Sequence, residues 1–296
     1  MQKRNTILIC DVSSLVHQMP KSMEKLTTSS GIPTGHVYSF VKKLLEIKAL
    51  PYNIQSVLFA LDSGYTHRLE IDPEYKANRR KRGSRGSIKV DDVFPLVESL
   101  PVLTLRKEGL EADDIIYTVV KRLHNDFKIV ILSKDYDISY LLRLYPNVRH
   151  LFTFNQEITP SGIFLRFGVE PKFIPVYKAL FGDASDNIKH PLLGRERSKI
   201  LTLLPRLGID DINVRTLVNN LDEDILKRII TNWKVIQMRD ALSMSAIRGS
   251  GELDKLKSFL DIYEIKAITG EDLLSAIPYN KKLLNKVETM LGGCNE

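Results

Sequence analysis

Thr6-Ile-Leu-Ile-Cys10-Asp11 is an apolar run of strand length closed by an acid, and the pattern recurs twice. Ser56-Val-Leu-Phe-Ala-Leu61 is followed by Asp62, and Lys128-Ile-Val-Ile-Leu-Ser133 by Lys134 and Asp135. Short apolar runs of this kind read as strands buried on both faces, as in a parallel sheet covered by helices. In such a sheet ligands bind in the crevice outside the carboxyl ends of the strands, so acids far apart in sequence converge there. Two like charges about 4 Å apart repel by roughly 4 kcal/mol at an effective dielectric of 20. Converged carboxylates therefore call for divalent cations.

Working outward, residues 101–105 form a fourth candidate strand. Residues 37–47 carry Val37, Phe40, Val41, Leu44, Leu45 and Ile47 at helical spacing after the turn Gly31-Ile-Pro-Thr-Gly35, as a crossover helix should. Beyond residue 159 the strand signals fade, and residues 161–167, 174–181, 198–204, 212–220 and 223–233 read as helices. The expected fold is α/β, a mainly parallel central sheet flanked by helices over residues 1–173, followed by a helical region over 174–296. The charged helical tail from residue 250 onward reads as a structural cover.

More acids join the three at the strand ends. Glu111-Ala-Asp113-Asp114 opens a helix whose core face is Ile115, Ile116, Val119, Val120 and Leu123. First-turn acids cap helices and complement the dipole, but three in four residues exceed that need. Glu111 and Asp114 are spaced to hold a single ion between them. Asp137 follows Asp135, and Asp183 and Asp186 lie in Phe181-Gly-Asp-Ala-Ser-Asp-Asn187, where turn punctuation is the bland alternative. There is no EF-hand spacing and the six histidines show no zinc spacing, so magnesium or manganese is expected. Cys10 and Cys294 are too few and too scattered for a disulfide framework or a thiolate site.

The 296 residues, 43% hydrophobic, suffice for a packed core, and 43 Lys+Arg against 36 Asp+Glu give a net charge of +7. With the acids gathered into one site, the remaining surface is more basic than that sum and favours a polyanionic partner. The most basic stretch is Lys76-Ala-Asn-Arg79-Arg80-Lys81-Arg82-Gly-Ser-Arg85-Gly-Ser-Ile-Lys89, which contains no acid. Such a run is usually a solvated face, yet here it follows Tyr75 near an acid site and suits capture of a phosphodiester. Apolar runs are too short to span a membrane, and Asp11 comes too soon for a secretory signal. A soluble, cytoplasmic monomer with no membrane partner is expected.

In order along the chain, Gly31-Ile-Pro-Thr-Gly35, Phe59-Ala-Leu-Asp62, Glu74-Tyr-Lys-Ala-Asn-Arg79, Gly109-Leu-Glu-Ala-Asp-Asp-Ile115, Leu132-Ser-Lys-Asp-Tyr-Asp137, Ile158-Thr-Pro and Phe181-Gly-Asp-Ala-Ser-Asp-Asn-Ile188 are similar to motifs of one family. The ordered set resembles the 5′-nucleases: phage 5′→3′ exonucleases, flap endonucleases and the 5′-nuclease domain of bacterial DNA polymerase I. The resemblance, from about Ile7 to Leu207, implies a resolvase-like or PIN-like fold with a helix–three-turn–helix at about 178–210. It implies a basic arch at about 76–100 and two magnesium ions, replaceable by manganese. By the same resemblance Asp11, Asp62, Glu111, Asp113 and Asp114 surround the first ion, and Asp135, Asp137, Asp183 and Asp186 hold the second. Lys76 and Arg79 grip the scissile phosphate, with Tyr75 nearby, and Arg80, Lys81, Arg82 and Arg85 belong to the arch. The implied substrate is DNA with a 5′ end, flap or nick, or an RNA–DNA hybrid, in a replication or repair setting with replication proteins as partners.

The chain departs from the family at two places. Pro191-Leu-Leu-Gly194 keeps one glycine of a turn that binds a monovalent ion such as potassium, and Arg195, Arg197 and Lys199 would then contact DNA directly. Lys134 stands where a small residue is common. Two alternatives are a DNA-binding scaffold that has lost catalysis and a PIN-type ribonuclease. Intact acids argue against the first, and the helical segment 178–233 against the second.

Overall fold

The structure is a computed structural model and describes residues 4–82, 89–192, 201 and 222–292. The expected helices at 198–204 and 212–220, most of the 178–210 motif, Arg85, Gly194, Arg195, Arg197 and Lys199 lie outside the described residues. Arg80, Lys81 and Arg82 end the helix Ala77–Arg82, and their side chains also lie outside them.

Seven strands form one sheet: β1 (Thr6–Asp11), β2 (Ile54–Ala60), β3 (Leu103–Arg106), β4 (Lys128–Leu132), β5 (Val148–Thr153), β6 (Gln156–Ile158) and β7 (Ser245–Arg248), in the order β6-β5-β4-β1-β2-β3-β7. The five inner strands are parallel, while β6 and β7 run antiparallel at the two edges. Strand order reverses beside β1, which is flanked by β2 and β4, so the crevice of an open α/β sheet opens there.

Alternation along each inner strand feeds two cores. Leu8, Cys10, Val57, Phe59, Val130 and Leu132 pack on one face. Ile7, Ile9, Leu58, Ala60, Ile129 and Ile131 pack on the other. The crossover helix Gly35–Glu46 covers the first face with Val37, Phe40, Val41 and Leu44. The helix Ala112–Leu123 covers the second with Ile115, Ile116, Val119, Val120 and Leu123.

The tail is shared between the faces. Helices Leu253–Ile262 and Gly270–Ala276 bury Leu256, Phe259, Leu260 and Leu273 in the first core, and helix Lys281–Met290 buries Leu283, Leu284 and Val287 in the second. The cover expected from residue 250 onward is present, and the sheet also draws on the chain beyond residue 173. Gly249, just after β7, lies so close to Leu100 that a Cβ there would stand 1.9 Å from its carbonyl oxygen. Among the described residues no helix is long and apolar enough to cross a membrane.

Candidate active site

Register brings the three strand-end acids together. Asp11 pairs with Ala60 across β1 and β2, two residues short of Asp62, and Cys10 pairs with Leu132, which sets Ser133 beside Asp11. Asp11, 6% exposed, caps the helix Val12–Val16 by accepting the Ser14 N–H at 2.8 Å, and its other oxygen accepts the Ser133 hydroxyl at 2.8 Å. Asp62 accepts the Ala112 N–H at 2.8 Å, tying the end of β2 to the helix Ala112–Leu123. Asp135 caps the turn Tyr136–Tyr140 through the Asp137 N–H at 2.8 Å. Each of these backbone contacts engages one oxygen, and all three acids still line the crevice. Asp11, Asp62, Glu111, Asp113 and Asp135 line a cleft of about 240 Å³ together with Lys76, Arg79, Ser13, Ser14, His17 and Lys134.

Beside this cleft a second group forms. Asp137, Asp183 and Asp186 each place one oxygen within 4.8 Å of the others. Gly182 starts the turn at φ +73°, and a Cβ there would lie 2.6 Å from the Ile188 oxygen. Glycine is required for both reasons. Asp183 and Ile188 then exchange backbone hydrogen bonds at 2.9 and 2.8 Å, which holds Asp186 at the site. The Lys178 ammonium is ion-paired to Asp137 and Asp183.

The electrostatics are those of carboxylates short of positive charge. Burial, then Asp62, pushes Asp11 up to about 7. Burial followed by Asp135, Asp11 and Glu111 pushes Asp113 well above the usual range. Burial raises Asp137 to about 7 against the pull of Lys178, and burial raises Asp186 despite Lys76 and Arg79. Asp183 is held low, because Lys178 and Ser185 outweigh its burial. The charge of Asp135 acts on Asp11 and Asp113 on one side and on Asp137 and Asp186 on the other, so it stands between the groups. A set of hard oxygen donors with this deficit fits divalent magnesium or manganese.

Residues 6–168 match the family model described as the N-terminal resolvase-like domain of 5′–3′ exonucleases. The chain belongs to the 5′–3′ exonuclease family. A 5′–3′ exonuclease of Aquifex aeolicus is 29% identical over 291 residues, covering 96% of this chain and 92% of that one. The thermostable DNA polymerase I of Thermus aquaticus is 27% identical over 285 residues, covering 91% of this chain but 33% of the polymerase. Among solved structures, the bacteriophage T5 flap endonuclease in a complex with DNA and metal ions shares the fold, with a TM-score of 0.60 at 20% identity over 92% of this chain and 99% of that one. The chain is a nuclease of this family.

Within the nuclease, the expected ligands Glu111 and Asp114 behave differently from the rest. The spacing suggested one ion between them, and one cation does lie there: the guanidinium of Arg68. It donates to Asp114 through two nitrogens, both at 3.0 Å, and to Glu111 through one of them. Asp114, 0% exposed, also accepts the Glu111 and Arg239 N–H groups at 3.2 and 2.8 Å. It is absent from the cleft lining. Asp114 is thus a buried partner of Arg68 in this structure. Glu111 reaches the cleft but is engaged by Arg68, Lys76 and the Tyr75 hydroxyl, and its burial is outweighed by Lys76 and Arg68, so it stays ionised below the usual range.

Tyr75 joins this network. Expected as a DNA contact, it is 5% exposed, with its hydroxyl 2.8 Å from Glu111 and 3.3 Å from Asp186 and its ring 5.0 Å beneath the Lys76 ammonium. Lys76 is buried at φ +52°, its N–H donating to the Asp186 carbonyl at 2.8 Å. Arg79, with 55% of its side chain exposed, donates to Asp186 at 2.6 Å and remains open to a ligand. Sequence reasoning missed Arg68, Lys178 and His150. Buried His150 donates to the Ser133 carbonyl at 2.8 Å and accepts from Ser139 at 3.0 Å, fixing the loop that carries Asp135. Only the closeness of Lys178 to Asp183 in the chain hinted at any of them.

Proposed function

We propose that the chain hydrolyses phosphodiester bonds in DNA bearing a 5′ end, flap or nick, using two magnesium ions that manganese can replace. Asp11, Asp62 and Asp113 would hold the first ion and Asp135, Asp137, Asp183 and Asp186 the second, with Glu111 at the edge of the first. Bound divalent cations would supply Lewis-acid activation of water and stabilisation of the leaving oxygen. The chain's own residues do the rest. Asp11 and Asp135 are held at fixed orientation by Ser14, Ser133 and the Asp137 amide, so the acids need no reorganisation on binding. Lys76 and Arg79, which line the cleft, neutralise charge on the scissile phosphate as it grows. Tyr75 and Arg68 hold Glu111, and Glu111 holds the Lys76 ammonium in place. Residues 174–296, including 178–210, would hold the duplex.

The observation that carries this reading is the convergence of eight carboxylates outside the carboxyl ends of β1, β2 and β4 with Lys76 and Arg79 among them. A binding scaffold gains nothing from it. Raising Asp11 from 3.8 to about 7 alone represents on the order of 4 kcal/mol of unfavourable ionisation. The test is incubation of 5′-labelled flap, nicked duplex and RNA–DNA hybrid with magnesium, with manganese and with a chelator. Short labelled 5′ products appearing only with a divalent cation support the reading. Shortening from the 3′ end, or cleavage in chelator, overturns it.

A further inference from the structure

Beyond the cleft, the carboxyl edge of the sheet continues from β4 to β5 as a strip of cations seated on rings. Lys134, which lines the cleft, places its ammonium 5.9 Å from the Phe152 centroid. Phe152 meets Tyr136 at 4.8 Å, and the Arg166 guanidinium lies 4.4 Å from the Tyr136 centroid and 5.5 Å from that of Phe167. Both cations are exposed. Arg143 and Lys172, by contrast, are paired with Glu170, and Arg149, near the amino end of β5, with Glu157. Among the described residues Lys134 and Arg166 have no such partner, although Asp135 and Asp137 flank the strip. Positive charge is thus left uncompensated where a strand leaving the cleft would pass.

We propose that Lys134 and Arg166 bind the phosphodiester backbone of one DNA strand as it leaves the acidic cleft. The inference rests on the nuclease reading above and deepens it by giving the substrate strand a path. Phe152 and Tyr136 hold the two long side chains in place, so little rotamer freedom is lost when a phosphate arrives. The Lys134 N–H donates to the Ser14 hydroxyl at 2.7 Å, which anchors the base of the strip to the helix that Asp11 caps. Because the rings are already engaged by the cations and by one another, the contact is to backbone and carries no base preference.

The test uses the full chain and a 5′-flap DNA with the chelator present, so that binding is read without cleavage. Lys134→Ala/Arg166→Ala should weaken affinity by about tenfold or more and reduce the log–log salt slope by roughly 0.7 to 0.9 for each lost contact. Lys134→Arg/Arg166→Lys should restore both. Neutral methylphosphonates placed one at a time along the strand should weaken wild type at one or two positions near the cleavage point and leave the double-alanine variant indifferent there. With magnesium, KM should rise by more than kcat falls. An unchanged salt slope, or a loss equal at every methylphosphonate position, returns the strip to a solvated face and overturns the proposal while leaving the nuclease reading intact. Wild type that neither binds nor cleaves DNA overturns both.

Discussion

Arg68 supplies positive charge to the buried carboxylates of Glu111 and Asp114. Its side chain is buried, so removing it leaves the fully buried Asp114 without its cation, while Glu111 keeps Lys76. Arg68→Ala should therefore destabilise the fold by about 3–5 kcal/mol, read by urea denaturation, and a loss below 1 kcal/mol would contradict the network. Arg79→Ala is the opposite case. Its guanidinium is half open to solvent, so stability should barely change while kcat falls more than affinity, measured by single-turnover cleavage and by binding in chelator. A loss confined to binding would remove Arg79 from the reaction. The nine acids were legible in the sequence because each stands at a strand end, a helix start or a Gly-led turn. The partner of Asp114 was not, since helical spacing says that a cation fits between i and i+3 but not that it comes from residue 68.

At the scale of elements, the same logic separates what could be read from what could not. Inner strands β1, β2 and β4 announce themselves because burial on both faces makes them apolar throughout. β7 has four residues, is half-exposed at an edge and pairs antiparallel with β3, so Ser245-Ala-Ile-Arg248 carries no comparable pattern. β5 was hidden by Arg149 and His150 in its middle, the latter buried through hydrogen bonds rather than apolarity. The tail was legible as a cover but not as a clamp on two faces. Leu256→Ala and Leu284→Ala, on opposite faces, should each cost about 2–5 kcal/mol. Far apart, they should add to within roughly 0.5 kcal/mol in the double variant, checked by urea denaturation. If either loss is negligible, the tail is only an appendage.

For the whole molecule, the proposed metal site would make stability depend on pH and metal together. Burial raises Asp11 and Asp137 to about 7 in the metal-free protein, above their ordinary 3.8. The folded state then holds these protons more tightly than the unfolded chain does. The stability they contribute is full below the ordinary carboxylate range and is lost as pH rises through 7. The proposed divalent cations would reverse the preference by favouring the ionised acids. Added magnesium should accordingly raise Tm more at pH 8 than at pH 6, by differential scanning calorimetry, and an equal gain at both would place the ions elsewhere. The central claim is that these converged acids carry out the hydrolysis. Its most direct test is to measure cleavage and affinity of a 5′-flap DNA side by side for wild type, Asp113→Asn and Asp135→Asn in the same magnesium concentration. The account predicts that cleavage falls by about a thousandfold or more while affinity stays within a few-fold. Cleavage by both variants at the wild-type rate would contradict it.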